Sequence, residues 1–454
     1  MISKYLIGAD GGHSTVRSMA NISFPGTASR FKWARFDAIV KTNMPQSRGI
    51  SIAIESPTHG NVLWTAIDNG RTRIGYVWPG ELEPSAETIM SEAKKALLPF
   101  DLEFIKLNWW TVYAIGQRVA ERFRDGPILI AGDAAHTHSS GGAQGMNTGI
   151  HDASNLGWKL VGVLKGWYAH SILDTYDEER RKAAHQLIQI DKDVASCISG
   201  VIPAHINASP DADVNDHLDQ VFTVNAAFTV GLGICYEESL INRKDDEAPN
   251  LQVVVGHRGP DAAVFRPGAM YPKRLHEFMP NNSRFWILIF AGGIDVEAEL
   301  PTLEREGRER FIALRTYIES PASFVNKLSP VFEFLTIIRG NGIFQSAETL
   351  GAQPLGRVVH DHIGEAYEKY GVDEREGAIV VLRPDGIVAF FHRMDQYGTI
   401  GDYFYQFVLP AKKQAQPENL GHVNSEAKRQ ANGVTLGEIS VEGNSIDKKV
   451  ISKL

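Results

Sequence analysis

Cysteine is almost absent from this sequence: among 454 residues there are only Cys197 and Cys235, and they do not form a CxxC pair. Neither a disulfide framework nor a thiolate zinc site can be built from them, and a reducing compartment is expected. The chain also lacks an apolar run of about 18 residues, the length of a membrane span, and a charged-then-apolar signal peptide. We therefore expect a soluble, intracellular protein with no membrane partner.

Clusters of basic residues are missing as well. The 46 lysines and arginines are scattered against 54 acidic residues, and the net charge is −8. Such a chain offers no surface for a phosphate backbone, so a nucleic-acid partner is excluded. With 43% hydrophobic and 22% charged residues, the composition is that of a globular protein long enough for two or three domains of about 150 residues each.

Apolar periodicity divides the chain into four predicted parts. Residues 33–78 alternate apolar and polar, which predicts an antiparallel sheet with one solvated face, and Pro127–Ala131 is a fully apolar strand followed by two long helices. Strand and helix candidates alternate again from residue 251, which indicates a separate small α/β unit, and the chain turns polar beyond Pro410. The predicted boundaries are 1–202 for a first domain, 203–250 for a connection, 251–409 for a second domain and 410–454 for a disordered tail.

The strongest local signal follows the apolar strand. Gly132-Asp133-Ala134-Ala135-His136 is followed by glycine-rich residues 141–147 and a long helix. A carboxylate at the carboxyl end of a buried strand lies where open α/β sheets bind ligands, glycines allow close backbone approach, and a helix start presents positive charge. The pattern predicts a site for a flat ligand that develops negative charge, as a reduced flavin does. The alternative is an ordinary strand-to-helix connection capped by Asp133.

A second signal spans Gly8 to Arg17. Asp10 and Arg17 lie at the two ends of a turn and a first helical turn, close enough to brace each other or to bind a hydroxyl and a phosphate. Because Asp-Gly turns are common, a plain turn is the better interpretation of this segment by itself.

Together, the two motifs resemble the paired flavin motifs of single-component flavoprotein hydroxylases. Within that group the chain is similar to the phenol 2-monooxygenase (phenol hydroxylase) family. The segments that carry this resemblance are Tyr5–Arg17, Ile130–Leu160, Thr175–Arg180, Gly256–Arg258, Tyr370–Asp373 and Arg383–Gly386. The resemblance implies a mixed α/β and α+β fold: a partial FAD and substrate domain with a mixed sheet, then a thioredoxin-like dimerisation domain without redox cysteines. It also implies a homodimer.

The resemblance implies a reaction too. NAD(P)H reduces FAD, the reduced flavin takes up O₂ as a C4a-hydroperoxide, and one oxygen is transferred ortho to a phenolic hydroxyl. The aromatic substrate is a simple phenol or a polyketide-type phenol of secondary metabolism. Carried over residue by residue, Asp133 contacts the ribityl chain, the backbone of Ala143, Gln144, Gly145, Met146 and Asn147 lines the pyrimidine edge, and Asp10 and Arg17 lie near the pyrophosphate and the nicotinamide cofactor.

The departures from the family pattern bear on the site. No GxGxxG occurs in the sequence, although the family opens with one to hold the pyrophosphate. The family's phenol-deprotonating aspartate belongs to the same segment, so no catalytic residue is assigned. Ile67 and Gly75 stand where the family has an arginine and a tyrosine. Tyr76 is kept as a candidate cofactor contact, although strand alternation points it to the opposite face unless a bulge intervenes.

Several alternatives stay open. The absent N-terminal segment reflects either a wrongly assigned gene start, which we favour, or a true truncation, and a non-catalytic paralogue that only dimerises or binds is the rival function. The pairs His136/His138 and His360/His362 have no convincing third metal ligand and are interpreted as structural. Trp109 and Trp110 are interpreted as core or interface. The terminal Ser452-Lys453-Leu454 spells a peroxisomal address, with chance as the alternative.

Overall fold

The computed structural model describes residues 3–80, 82–139, 144–209, 212–244, 249–292, 301–340 and 346–411. The predicted tail lies outside this part of the chain and stays a prediction, as do the predicted domain boundaries. Among the described residues, every helix falls short of the length and apolar character that a membrane crossing requires.

The N-terminal half contains nine strands and six helices within the described residues. The strands are β1 (Leu6–Gly8), β2 (Gly26–Thr42), β3 (Ile52–Ser56), β4 (Gly60–Ala66), β5 (Thr72–Trp78), β6 (Leu102–Val119), β7 (Arg124–Asp125), β8 (Ile128–Ile130) and β9 (His136–Thr137). The helices are α1 (Thr15–Met19), α2 (Ala86–Ala96), α3 (Gly145–Leu164), α4 (Asp174–Ile198), α5 (Val214–Val224) and α6 (Ala226–Thr229).

The predicted antiparallel sheet is confirmed and has six strands in the order β3-β4-β5-β2-β6-β9. Because side chains alternate along a strand, its two faces differ. On one face, Ala34 and Phe36 of β2 and Ile74 and Tyr76 of β5 are fully buried in a core that also holds Ile89 and Ala93 of α2. We call this the packed face. Odd-numbered residues occupy the other face, called here the open face, part of which packs against α4 and α5.

A smaller sheet carries the two sequence motifs. It has the order β1-β8-β7, with β1 parallel to β8. Leu129 and Ile130 are fully buried, as the apolar run predicts. Gly8 is required at the end of β1 because a Cβ there would lie 2.7 Å from Val16 Cβ. The close approach brings α1 directly against β1, which pairs with β8, the strand that precedes the glycine-rich segment.

The C-terminal half contains the strands β12 (Phe285–Phe290), β13 (Phe332–Arg339), β14 (Arg357–Asp361), β15 (Ala378–Leu382) and β16 (Val388–His392). They form a mixed five-stranded sheet in the order β14-β13-β12-β15-β16. Strands β12, β13 and β14 are parallel, and β15 and β16 continue the sheet in antiparallel orientation. Three parallel strands joined to an antiparallel hairpin form the thioredoxin-like arrangement that the resemblance implies, and the fold class is confirmed. Two short strands, β10 (Ala263–Val264) and β11 (Lys273–Arg274), pair separately. The helices of this half are α7 (Pro301–Glu319), α8 (Phe324–Lys327), α9 (Ser346–Leu350), α10 (Glu365–Tyr370) and α11 (Ile400–Phe404).

A buried ionic cluster joins the C-terminal sheet to α3 and α4. Arg383 Nη2 donates to Glu179 Oε2 at 3.0 Å, and Lys159 Nζ donates to the same oxygen at 2.8 Å. Burial raises the pKa of Glu179, but Arg383 and Lys159 outweigh it and lower the pKa to about 2. Burial lowers the pKa of Lys159 to about 8. Because each buried charge has a partner, the cluster fixes α3 and α4 against the hairpin of β15 and β16.

Candidate functional site

A cavity of about 460 Å³ lies between the open face of the six-stranded sheet and the segment that follows β8. Its volume is within the range of small-molecule sites. Its walls are Arg35, Trp109, Thr111, Tyr113, Asp133, Thr137, His138, Ser139, Gly145 and Met146. The glycine-rich motif and the predicted substrate sheet therefore enclose one space, which we call the central cavity.

The sheet wall is built by register. Trp109, Thr111 and Tyr113 of β6 stand opposite Asp37, Arg35 and Trp33 of β2. All six are odd-numbered and project from the open face because strand side chains alternate. Trp109 is 48% exposed, so a large aromatic surface borders the cavity without being covered by the fold.

Asp152 on α3 shapes the opposite wall. Its Oδ2 accepts from Gly132 N at 2.9 Å and lies 2.7 Å from His136 Nε2, while its Oδ1 accepts from Arg180 Nε at 2.8 Å. Burial raises the pKa of Asp152, but His136 and Arg180 outweigh it and the pKa lies below its ordinary value. The ionised carboxylate holds the turn after β8, in which Gly132 adopts φ +58°. Asp133 is left exposed at the cavity.

Asp191 on α4 holds the next part of this wall. Its Oδ2 accepts from Ser139 N at 2.8 Å and from Gln117 Nε2 at 2.7 Å. His138 Nδ1 lies 3.8 Å from Asp191 Oδ1. Burial lowers the pKa of His138, but Asp191 and the Ser139 carbonyl outweigh it and raise the pKa above its ordinary value. The cavity wall therefore carries an imidazole that favours its cationic form.

Helix α3 begins at the cavity without a side-chain cap. Thr148 N donates to Gln144 O at 2.9 Å, the first bond of the helix. The helix therefore makes no use of the N–H groups of Gly145, Met146 and Asn147, which carry its positive end. These donors and the exposed Asp133 fit an isoalloxazine edge and a polyhydroxyl chain. Ala143 lies outside the described residues.

Comparison with known proteins agrees with this geometry. The family described as "FAD binding domain" matches residues 1–191, and the family described as "Phenol hydroxylase, C-terminal dimerisation domain" matches residues 234–349 and 352–412. The FAD-dependent monooxygenase terD of Aspergillus terreus is 30% identical, over 93% of this chain and 71% of that protein. The chain belongs to the phenol hydroxylase-like FAD-dependent monooxygenases.

Two further proteins extend the comparison. The 3-hydroxybenzoate 4-monooxygenase of Comamonas testosteroni is 29% identical, over 89% of this monooxygenase chain and 68% of its own. Aklavinone-11 hydroxylase, solved with FAD and aklavinone, superposes with a TM-score of 0.61 at 20% identity, covering 88% of this chain and 67% of that one. The latter likeness concerns the fold. The cofactor of this family is FAD.

The structure corrects the position of Tyr76. The pairing of β2 with β5 is regular from Lys32 to Ala38, and no bulge moves Tyr76 to the open face. Tyr76 is fully buried on the packed face, and its hydroxyl donates to Ile89 O at 2.8 Å. Burial raises its pKa well above the ordinary value. Tyr76 is therefore a core residue of this monooxygenase and contacts no ligand in the central cavity.

Asp10 and Arg17 do not pair with each other directly. Asp10 accepts from Thr15 N at 2.7 Å and Val16 N at 3.1 Å, which caps α1. Arg17 is buried and donates to Ala134 O and Gly12 O, both at 2.8 Å. Two of its five N–H donors therefore brace α1 against the turn after β8, and the place of Arg17 near the pyrophosphate and the nicotinamide stays a prediction. Asp10 is exposed, and its contact with a ligand stays a prediction.

His136 and His138 lie in different surroundings. No group of three metal-ligating side chains occurs in the described part of the chain. His136 is buried against Asp152, whereas His138 reaches the cavity wall. Sequence reasoning missed Arg35, Trp109, His138 and Asp191 as wall-forming or wall-supporting residues. A usable signal existed for Trp109, since Trp109, Thr111 and Tyr113 recur with the two-residue period of one strand face, but Asp191 is 52 residues from its partner Ser139.

Proposed function

We propose that this protein uses FAD, NAD(P)H and O₂ to hydroxylate a phenolic ring next to its hydroxyl group. The observation that carries the proposal is the central cavity, in which an aromatic sheet face stands opposite an uncapped helix start. A flat, electron-accepting ring fits between two such walls because one wall offers apolar contact and the other offers positive charge.

The chain's own residues have distinct roles in this proposal. Bound FAD supplies the oxygen-transfer chemistry once it is reduced. The N–H groups of Gly145, Met146 and Asn147 stabilise negative charge at the pyrimidine edge. Asp133 accepts hydrogen bonds from ribityl hydroxyls. His138, held by Asp191, adds positive charge to the same wall when it is protonated, a form that Asp191 favours.

The substrate is assigned to a second space on the open face. A cavity of about 320 Å³, called here the sheet cavity, is lined by Trp33, Leu63, Arg73 and Gly75 and shares Arg35 and Tyr113 with the central cavity. Aromatic walls suit a phenolic ring. The names of the relatives point to ring hydroxylation of 3-hydroxybenzoate and of aklavinone, which supports an aromatic substrate with the size left open.

The test uses the protein with a GxGxxG segment placed upstream, supplied with FAD, and the 454-residue chain is the comparison, expected to bind FAD weakly because it lacks that motif. We expect quenching of flavin fluorescence on binding, NAD(P)H oxidation stimulated by phenols, and one atom of ¹⁸O from ¹⁸O₂ in the product. Asp133→Leu is expected to weaken FAD binding at least about tenfold, the equivalent of one charge-assisted hydrogen bond. The matched control is Asp125→Leu, which removes an exposed carboxylate of β7 that does not line the cavity. Absence of flavin binding favours the non-catalytic alternative.

We infer a homodimer from the matched dimerisation domain. Light scattering on the purified protein is expected to give about twice the chain mass of 50.1 kDa. A mass of one chain at micromolar concentration contradicts the dimer.

We also propose that Ser452-Lys453-Leu454 directs the protein to peroxisomes. A fluorescent protein fused in front of this terminus is expected to be punctate in cells with competent peroxisomes and diffuse once Leu454 is deleted. Diffuse signal from both fusions assigns the tripeptide to chance.

A further inference from the structure

Arg35 occupies an uncovered position on the open face. It lies on β2 between Gly75 of β5 and Thr111 of β6, its paired residues on either side. Both neighbours are small, so neither covers the guanidinium. The side chain is half-buried. The sheet thus presents a cation in a hollow made by its own register.

Arg73, on the neighbouring strand β5, is an arginine of the open face that has a structural ion-pair partner. Arg73 Nε donates to Asp37 Oδ1 at 2.7 Å, and Arg73 Nη2 donates to Asp37 Oδ2 at 2.9 Å. Each oxygen of Asp37 accepts from Arg73, whereas Arg35 contributes only a charge interaction, the smallest of the causes that lower the pKa of Asp37. Within the described part of the chain, no hydrogen bond or ion pair holds the guanidinium of Arg35. A half-buried guanidinium has five N–H donors, and the described residues supply no hydrogen-bond acceptor for them, so they are available to water or to a ligand in the cavities.

A second unsatisfied donor lies beside it. Trp33 is two residues away on the same face and lines the sheet cavity together with Arg35. Its indole nitrogen is buried and has no hydrogen-bond partner among the described residues. An indole N–H and a guanidinium donate only, so the group that satisfies both must be an acceptor. A planar carboxylate matches the guanidinium fork with two parallel hydrogen bonds.

We infer that Arg35 binds the carboxylate of a hydroxylated aromatic acid and so sets the substrate class of this enzyme. The inference rests on the proposed function and narrows it. Arg35 borders both cavities. A carboxylate held there leaves the ring to extend between the aromatic walls toward the central cavity. Gly75 contributes to this carboxylate-binding site because an aromatic side chain at that position would fill the hollow beside Arg35.

The test compares two ligands of the same shape. Binding of 3-hydroxybenzoate and of its neutral isostere 3-hydroxybenzamide is measured by calorimetry on the 454-residue protein, without and with FAD. Tryptophan fluorescence gives a second readout because Trp33 and Trp109 line the two cavities. The wild-type protein is expected to bind the acid about 10- to 100-fold more tightly than the amide, the range for a hydrogen-bonded charge.

Variants assign that preference to Arg35. Arg35→Met is expected to abolish it while leaving the affinity for the amide within about twofold, and Arg35→Lys is expected to retain part of it because the charge remains without the fork. Trp33→Phe is expected to weaken binding of the acid by several fold. The control is Arg71→Met, which removes a cation from the turn between β4 and β5 that lines neither cavity. Circular dichroism melts check that each variant is folded.

Distinct outcomes separate the inference from the proposed function. Equal affinity of the wild type for acid and amide, or a preference that survives in Arg35→Met, overturns the inference while flavin binding and hydroxylation stand. If Arg35→Met instead weakens FAD binding and keeps the preference, the guanidinium serves the flavin and the inference is wrong. Binding of neither ligand also overturns it, and only a concurrent failure to bind FAD removes the proposed function.

Discussion

The two faces of the six-stranded sheet are made by the same strands and have opposite characters. On the packed face, Phe36 and Ile74 are fully buried and the one phenol, Tyr76, donates to a backbone carbonyl. On the open face, the Trp33 indole nitrogen is buried without a hydrogen-bond partner among the described residues, and Arg35 borders two cavities. Alternation along one strand thus separates residues that stabilise the fold from residues available to a ligand.

The largest effect is expected from the packed face. Phe36→Ala removes a fully buried ring that lies 5.8 Å from Phe104 and 6.2 Å from Tyr76, measured between ring centroids. The lost burial and the remaining cavity are expected to lower the free energy of unfolding by about 3–5 kcal/mol, measured by urea denaturation.

Phe36→Leu is the matched control and is expected to lose less because it fills most of the space. For the comparison of faces to hold, the folded fraction of Phe36→Ala must keep the wild-type preference between acid and amide. A changed preference would mean that the packed face also shapes the site.

An intermediate effect is expected at the support of the cavity wall. Asp191→Asn replaces a buried carboxylate that accepts from Ser139 and Gln117 with a group that cannot satisfy all their donors. Charge-assisted hydrogen bonds are lost, and the free energy of unfolding is expected to fall by about 2–3 kcal/mol. The pKa of His138 is expected to fall as well, as measured by NMR titration of labelled histidine rings.

The pH dependence of this variant has a definite sign. Since folding raises the pKa of His138, its contribution to stability is complete below about pH 6.5, the ordinary histidine value, and is lost as the pH rises through the folded value. Folding lowers the pKa of Asp191, so its contribution is present above about pH 4 and lost on further acidification. Both dependences should shrink in Asp191→Asn. An unchanged histidine titration would contradict the coupling.

A smaller effect is expected from the satisfied arginine of the open face. Arg73→Met leaves Asp37 buried without its fork of hydrogen bonds, at a cost of about 1–2 kcal/mol. Since the Arg73 hydrogen bond lowers the pKa of Asp37, this stabilisation is present at neutral pH and is lost as the pH falls through the lowered value. Urea denaturation between pH 3 and pH 7 measures it, and Arg71→Met is the control with little expected change.

Much of the architecture was accessible from periodicity. The two-residue period over residues 33–78 predicts the antiparallel sheet, and the apolar run before Gly132 predicts the buried strand β8. The order of the two motifs, through a resemblance, indicates the family and the thioredoxin-like sheet. Strand alternation also warned that Tyr76 points away from Gly75, which the regular pairing of β2 with β5 bears out.

The remainder depends on which strands become neighbours. Arg35 is exceptional only because Gly75 and Thr111 lie beside it, and this follows from the register of three strands that sequence periodicity does not determine. Asp191 supports Ser139 from a helix packed on the far side of the wall. Arg17 carries a guanidinium, a group that often binds phosphate. Two of its N–H donors are instead bonded to backbone carbonyls that only the fold brings together.

The smallest and most discriminating change is Gly75→Ala. Gly75 does not have positive φ, and a Cβ there meets only Ala34 O, at 3.5 Å. Replacing a glycine inside a strand with alanine is therefore expected to raise the free energy of unfolding by about 0.5–1 kcal/mol. The same methyl group narrows the hollow beside Arg35, so affinity for the acid is expected to fall a few fold. Gly80→Ala, outside β5 and with no atom near its Cβ, should leave affinity unchanged. If Gly75→Ala is more stable than the wild type and keeps full affinity for the acid, Gly75 is not part of the binding site. The hollow beside Arg35 then has a cause other than ligand binding.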